Sequence, residues 1–360
     1  MLVLKPSCPD EALALALKEL ESNHIHTNSR NGAVLRFPTP VTTVWSQPAN
    51  RIMWSANRDC NPMFHYAEAF WMLAGRNDVA TVAKLSPNML NYSDNQETLW
   101  GAYGFRWREH FGIDQISLII DELKSNPTSR RCVLQMWDGQ YFVGTSDLQN
   151  SDLIVATSGG KDVPCNTSIY FDPQDGVLNM TVCNRSNDMV FGAYGANVVH
   201  MSILHEYVAA QIGMQLGTYY QISNNLHLYL DVPVTSRLVS YADSKLKRNS
   251  DEVMDFNICV KKQEHLFSDL YSNALSDSGF VYQTNNMLDQ FVKGDVVSSD
   301  LVQPRSLMIL EAILNGFTLY KMQDTRSGAS YLQERNNDLH SVWIENSIEW
   351  LKRRPSYESN

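Results

Sequence analysis

Apolar positions along this chain recur with two periods, and each period predicts its own elements. Leu13, Leu15, Leu17 and Leu20 give apolar surface to a helix over Glu11 to Glu21, which Pro9-Asp10 opens. Asn28-Ser-Arg-Asn-Gly32 is a turn, and Val41-Thr-Thr-Val-Trp45 is β-branched and strand-like. After Asn61-Pro62, the 3.6-residue repeat puts Phe64, Ala67, Trp71 and Ala74 on one face of a helix from Met63 to Leu73. Glu68 sits beside that face, and Gly75 serves as its C-cap. A further helix follows Gly112-Ile-Asp114, with Ile116, Ile119, Ile120 and Leu123 on its inner face and Asn126-Pro127 at its end. Cys132 to Trp137 predicts a strand, and residues 139 to 162 show no period and read as a surface loop. Met201, Leu204, Val208 and Ile212 stay in register along a long helix from Asn197 to Gly213.

The period of two is clearest in Ser168–Phe171 and Val177–Cys183, which alternate around Asp172-Pro-Gln-Asp-Gly176 and predict a β-hairpin. A hairpin brings its ends together, so Cys165 and Arg185 become neighbours although twenty positions apart. A cation beside a thiol lowers its pKa and raises the thiolate fraction. A cysteine in a strand is ordinarily a small buried hydrophobe, a reading that suits Cys8, Cys60, Cys132, Cys183 and Cys259. Beyond Val232 helical patterns return at Ser306–Leu314 and Val342–Leu351, before a polar, frayed end at Arg353–Asn360. No internal repeat is visible.

Composition narrows the function classes. The chain has 360 residues, 44% hydrophobic and 19% charged, which suits one large or two smaller globular domains. A net charge of −10 argues against direct nucleic-acid binding, but a local arginine cluster can still hold a small anion. No apolar run is long enough to cross a bilayer, and Lys5-Pro6 interrupts Met1-Leu-Val-Leu4 too early for a signal peptide. Six scattered cysteines without a Cys-x-x-Cys pair suggest reduced thiols in a cytoplasm and no structural metal site. Arg185, Arg130, Arg131 and Arg30 are candidates for a phosphate, because guanidinium forks match its oxygens. Ser186 can add a hydroxyl, and His227 and Tyr229, two apart in a strand, share a face.

Pro164-Cys-Asn-Thr167, Arg185-Ser-Asn-Asp188 with Val190-Phe-Gly192 after it, Ser129-Arg-Arg131, Tyr103-Gly-Phe-Arg-Trp107 and His227-Leu-Tyr229 occur in one order. That ordered set, over about residues 60 to 232, resembles the thymidylate synthases and the phage pyrimidine-nucleotide hydroxymethylases of the same superfamily. The resemblance implies an α/β (α+β) fold, a mixed sheet flanked by helices, with a catalytic domain over residues 1–232. Residues 233–360 are then a mainly helical extension packed on that domain.

It also implies one-carbon transfer to C5 of a pyrimidine nucleoside monophosphate with 5,10-methylenetetrahydrofolate as cofactor. C5 of uracil or cytosine is a poor nucleophile until a thiolate adds to C6, the role that falls to Cys165. Tyr103 would wall the base, Glu68 would order water and protons, and Asn166 stands where synthases commonly have His. Asp188, with Gly192, would hold the folate. Arg185, Ser186 and Arg30 would bind phosphate, His227 and Tyr229 the sugar 3′-hydroxyl, and Arg130 and Arg131 a partner's nucleotide across a homodimer. Asn197 would read uracil, although Gly192–Asn197 holds one residue more than the synthase pattern; the extra residue is assigned to a loop. The alternative use of Asn197 is capping the following helix.

The outcome of the transfer is a methyl group if a hydride follows, and a hydroxymethyl group if water does. Asn91-Tyr-Ser-Asp94 replaces a Trp-rich segment, Asn166 replaces His, and Tyr357–Asn360 is not an apolar closing tail. Fewer aromatic and apolar covers favour water, hence hydroxymethylation of dUMP. Methylation of dUMP, hydroxymethylation of dCMP or CMP, and an inactive binding or regulatory relative are the alternatives.

Overall fold

The central hairpin turns on two residues. Asp175 and Gly176 both take left-handed backbone, with φ of +49° and +80°, which matches the twist of the strands they join. The structure, a computed structural model, describes residues 1–139, 151–235, 237–238, 263–270, 275–299 and 303–355. Strands β1 (Leu2–Leu4), β2 (Ile25–Ser29), β3 (Gly32–Arg36), β4 (Val41–Trp45) and β5 (Val133–Gln135) precede the hairpin strands β6 (Asn166–Gln174) and β7 (Val177–Asn184). Strands β8 (Asn187–Asp188), β9 (Gln215–Ser223) and β10 (Leu226–Tyr229) follow. Asp172-Pro-Gln therefore belongs to β6 rather than to the turn; β5 pairs only as far as Tyr170, leaving Pro173 on an edge where a missing N–H is tolerated.

The architecture is mixed α/β. One sheet runs β1-β4-β9-β7-β6-β5, parallel at β1–β4 and β7–β9 and antiparallel elsewhere; a second runs β2-β3-β10-β8. On one face of the larger sheet Leu134, Ile169 and Val182 are buried. On the other, register aligns Val133, Tyr170, Thr181, Tyr220 and Val44 in one row. That row faces solvent, with Val133 and Tyr170 each 43% exposed and Tyr220 37%.

The helices are α1 (Pro9–Ser22), α2 (Pro62–Leu73), α3 (Val79–Leu85), α4 (Tyr103–Arg108), α5 (Gln115–Ser125), α6 (Asp152–Thr157) and α7 (Val198–Gln211). In the C-terminal part come α8 (Asp277–Lys293), α9 (Arg305–Met322), α10 (Thr325–Leu339) and α11 (Val342–Lys352). Asn61 caps α2 by accepting from the Met63 and Phe64 N–H groups, and Gly75 ends it at φ +76°. The single apolar face expected for α2 is too narrow: eleven of its residues are buried, His65, Tyr66 and Glu68 among them. The reason lies far along the chain, because α7 packs on one side and α9 and α11 on the other. Tyr66 donates to the Ser306 carbonyl at 2.8 Å, and Asp277 accepts from Arg108 and Tyr207 at 2.8 and 2.6 Å.

Two further expectations change. The surface loop over 139–162 contains helix α6, too short to show a period. Its Asp152 is fully buried and forked to Arg106 at 2.8 Å twice. Residues 140–150, Cys259 and the tail Tyr357–Asn360 lie outside the described residues. The extra residue near Asn197 is not in a loop, since Met189–Asn197 is a π-helix running into α7. A π turn is how a helix absorbs one added residue without losing its backbone bonds. Among the described residues no helix is long and apolar enough to cross a membrane.

Candidate functional site

The ends of β6 and β7 meet as the hairpin requires. The Arg185 N–H donates to the Cys165 carbonyl at 2.9 Å, and its guanidinium donates to the Pro164 and Val163 carbonyls at 2.9 and 3.0 Å. It also lies over the Trp137 ring, 5.5 Å from its centre. From the β2–β3 turn, Arg30 donates to the Gly160 and Lys161 carbonyls at 2.9 and 2.8 Å. Two cations thus clasp the segment that carries Cys165 through its main chain. Both favour the thiolate, yet the Cys165 thiol is raised above its ordinary pKa, because burial outweighs Arg185 and Arg30 while Asp162 and Asp188 push the same way. The expectation of a net lowered thiol fails for that reason. Tyr103 opens α4 beside it; burial holds its phenol proton on firmly, and a main-chain hydrogen bond from Cys165 reaches it.

Cys165 and Tyr103 line a cavity of about 180 Å³ together with Glu68, Asp162, Asn197 and His200. Glu68 Oε2 stands 3.1 Å from His200 Nε2, off the line of a good hydrogen bond. His65 packs edge-on against His200 and is held neutral by burial, with the neighbouring His200 and Arg58 adding to the effect. Asp162 accepts from the Gly101 N–H at 2.8 Å. Burial raises its pKa to about 6, against the pull of that bond and of Arg106 and Arg30. Asn197 does not cap α7: its backbone is helical and its side chain makes no cap bond. Its Nδ2 donates instead to Asn187 Oδ1 at 3.0 Å.

The other candidates lie around this cavity or away from it. Asp188 caps the π-helix, accepting from Val190 and Phe191 N–H groups at 3.3 and 2.6 Å, and burial raises its pKa. It pairs in register with His227, whose pKa burial lowers although Asp188 opposes this. His227 and Tyr229 share a face, their rings edge to face at 5.0 Å. A Cβ on Gly192 would stand 2.7 Å from Asn187 Oδ1, so only glycine fits there. Ser186 is half-buried beside Arg185. Asn166 is not brought to the cavity: it is fully buried, with its Nδ2 3.7 Å from Met201 Sδ. Arg130 and Arg131 are exposed on a separate surface with Asn126, Thr128 and Ser129.

His200, His65, Asp162 and Asn187 were not foreseen. Polar residues in the otherwise apolar α7 and α2, and an acid three places before Cys165, were the available signals.

With that geometry in hand, the chain proves to match the thymidylate synthase family model over residues 27–284, and it belongs to that family. It is 48% identical over 233 residues to the deoxyuridylate hydroxymethyltransferase of Pseudomonas phage M6, covering 64% of this chain and 63% of the relative. The enzymes of the same name from Bacillus phage SP01 and Delftia phage PhiW-14 are 33% and 30% identical, over 53% and 51% of this chain and 50% of each relative. The chain thus spans between half and two thirds of the length of these relatives.

Proposed function

We propose that the protein transfers a one-carbon unit to C5 of dUMP and releases 5-hydroxymethyl-dUMP. One observation carries this reading: a single cavity joins the thiol of Cys165, the amide of Asn197 and the carboxylate–imidazole pair of Glu68 and His200. The relatives named for deoxyuridylate hydroxymethylation support the substrate and product.

Arg185 and Arg30 hold the phosphate, with Ser186, while His227 and Tyr229 take the sugar hydroxyl. The Cys165 sulfur adds to C6 of the base, and the electron pair makes C5 nucleophilic towards the one-carbon unit. The C5 proton is then lost, and once water has added the Cys165 thiolate leaves C6 and the 5,6 double bond is restored. Neighbouring cations ease the loss of the thiol proton that the addition needs. Asn197 donates to O4 and accepts from N3–H. Glu68, paired with His200, orients the water whose oxygen becomes the hydroxyl, and Tyr103 bounds the base. Three polar side chains in the cavity lining, Glu68, His200 and Asn197, suit water rather than a hydride as the final nucleophile. Asn166, buried away from the cavity, takes no part in that choice.

5,10-Methylenetetrahydrofolate supplies, when bound, a carbon at the oxidation level of formaldehyde. The residues fit it: Phe191 is 42% exposed beside Asp188 and Gly192, and the Arg58 guanidinium lies 4.6 Å from its ring centre. That is a flat surface and a cation for a heterocycle with an anionic tail. Arg130 and Arg131, which have no side-chain partner among the described residues, and the solvent-facing row of Val133, Tyr170 and Tyr220 support a homodimer through the open sheet face. Reduced thiols and these substrates suit a cytoplasm.

The test is incubation with labelled 5,10-methylenetetrahydrofolate and each of dUMP, dCMP, UMP and CMP, with products weighed by mass spectrometry. Hydroxymethylated dUMP is expected. A methylated product would assign the chain to synthesis of thymidylate, and no product from any nucleotide would overturn the reading.

A further inference from the structure

An asparagine is a poor reader of bases when its amide is free to turn. Uracil offers an acceptor at O4 and a donor at N3, and cytosine offers the reverse. The two ends of an amide are nearly the same size, so a freely turning side chain serves both bases. Discrimination therefore requires something that fixes which end faces the cavity.

In this fold Asn187 does so. It is buried, at 1% exposure, and its main-chain N–H donates to the Asn225 carbonyl at 2.8 Å. Its Nδ2 donates to Ser223 Oγ at 3.2 Å, and its Oδ1 faces Asn197. That Oδ1 accepts from Asn197 Nδ2 at 3.0 Å. One amide proton of Asn197 is thereby used, and a second proton and Oδ1 remain for a base. The π-helix brings residues 187 and 197 together, and Gly192 leaves the space: a Cβ there would stand 2.7 Å from Asn187 Oδ1 and 3.7 Å from Asn197 Nδ2. The two amides turn only together, because reversing Asn187 alone sets N–H against N–H and reversing Asn197 alone sets oxygen against oxygen.

We propose that Asn187 is a positioning residue for base specificity: with Ser223 it locks the Asn197 amide in the orientation that accepts uracil and refuses cytosine. This rests on the reading that Asn197 recognises the base.

The experiment measures dissociation constants of dUMP and dCMP by calorimetry on the full chain, so that turnover and folate play no part. Asn187→Leu keeps the size but frees the Asn197 amide, and the preference for dUMP should fall about tenfold, the worth of one neutral hydrogen bond. Asn187→Asp can only accept, so it should hold Asn197 in place and keep the preference. Ser223→Ala, a milder change should Asn187→Leu fail to fold, should reduce the preference a few-fold. A purely structural role would weaken both nucleotides alike and leave the ratio unmoved in Asn187→Leu and Ser223→Ala, which overturns the proposal. Asn197→Asp separates the two claims. If it shifts preference towards dCMP while the Asn187 and Ser223 variants do not, base reading stands and positioning falls. If none of the variants moves the ratio, base reading falls with it.

Discussion

The cavity has two walls of different construction. The strand wall carries Cys165, and guanidiniums outside the cavity lining hold its segment by main-chain carbonyls: Arg185 by Val163 and Pro164, Arg30 by Gly160 and Lys161. Among the described residues no carboxylate makes a salt bridge to either guanidinium, an arrangement that suits an anion. The helix wall is built from α2, the π-helix and α7, and its polar groups stand against one another, Glu68 3.1 Å from His200 and Asn197 hydrogen-bonded to Asn187. An amide pair such as Asn197–Asn187 carries no net charge but a fixed pattern of donors and acceptors. Charge that binds is thus on one side, and hydrogen-bond shape that discriminates is on the other.

Breaking the strand wall should have the larger effects. Cys165→Ser keeps the shape but removes the readily formed thiolate, and kcat should fall about a thousandfold or more while dUMP still binds. Near-normal turnover would remove the covalent step. Arg185→Ala should come next, weakening dUMP binding about 10- to 100-fold, as expected for a charged hydrogen-bonded contact. Because Arg185 also holds the Cys165 segment by two carbonyls, deoxyuridine is the necessary control. If the nucleoside, which has no phosphate, loses as much affinity as dUMP, Arg185 acts through the segment and not through the phosphate.

The two walls also differ in how far the sequence discloses them. The strand wall follows from a period of two and an Asp-Gly step, which is local information, and the meeting of Cys165 with Arg185 came directly from it. The same alternation argues against Asn166 as a site residue, since neighbours in a strand face opposite ways; the likeness of its position to the synthase histidine concealed this. The helix wall depends on distant packing. That α2 is buried on every side is decided by Ser306 and Trp343, some 240 and 277 positions beyond Tyr66. The Asn187–Asn197 bond needs a π turn, which apolar spacing does not reveal. Burial, too, decides the net direction of the Cys165 pKa, and a sequence shows the cation but not the depth.

Asp162 gives the smallest effect and the finest test of the contrast, because it is an acid set into the cationic wall. Its pKa stands near 6 where an ordinary aspartate lies at 3.8. Between those values the folded chain binds a proton that the unfolded chain has lost. Stability from this group is therefore full below about pH 4 and is lost as pH rises towards 6. Above that, keeping the carboxylate ionised costs about 1–3 kcal/mol, from a shift of some two pKa units. Asp162→Asn retains an acceptor for the Gly101 N–H and removes the charge. The variant should be more stable than the parent by that amount at pH 7.5, and the advantage should fade as denaturant melts are repeated towards pH 4. Removing the same charge should lower the Cys165 pKa, because Asp162 is one of the groups raising it. Alkylation of Cys165 by iodoacetamide at pH 7.5 should accordingly speed up in the variant and slow down in Arg185→Ala. A stability difference that does not change with pH would mean that Asp162 is ordinary in its ionisation. An unchanged alkylation rate would mean that the strand wall's charges do not reach its thiol.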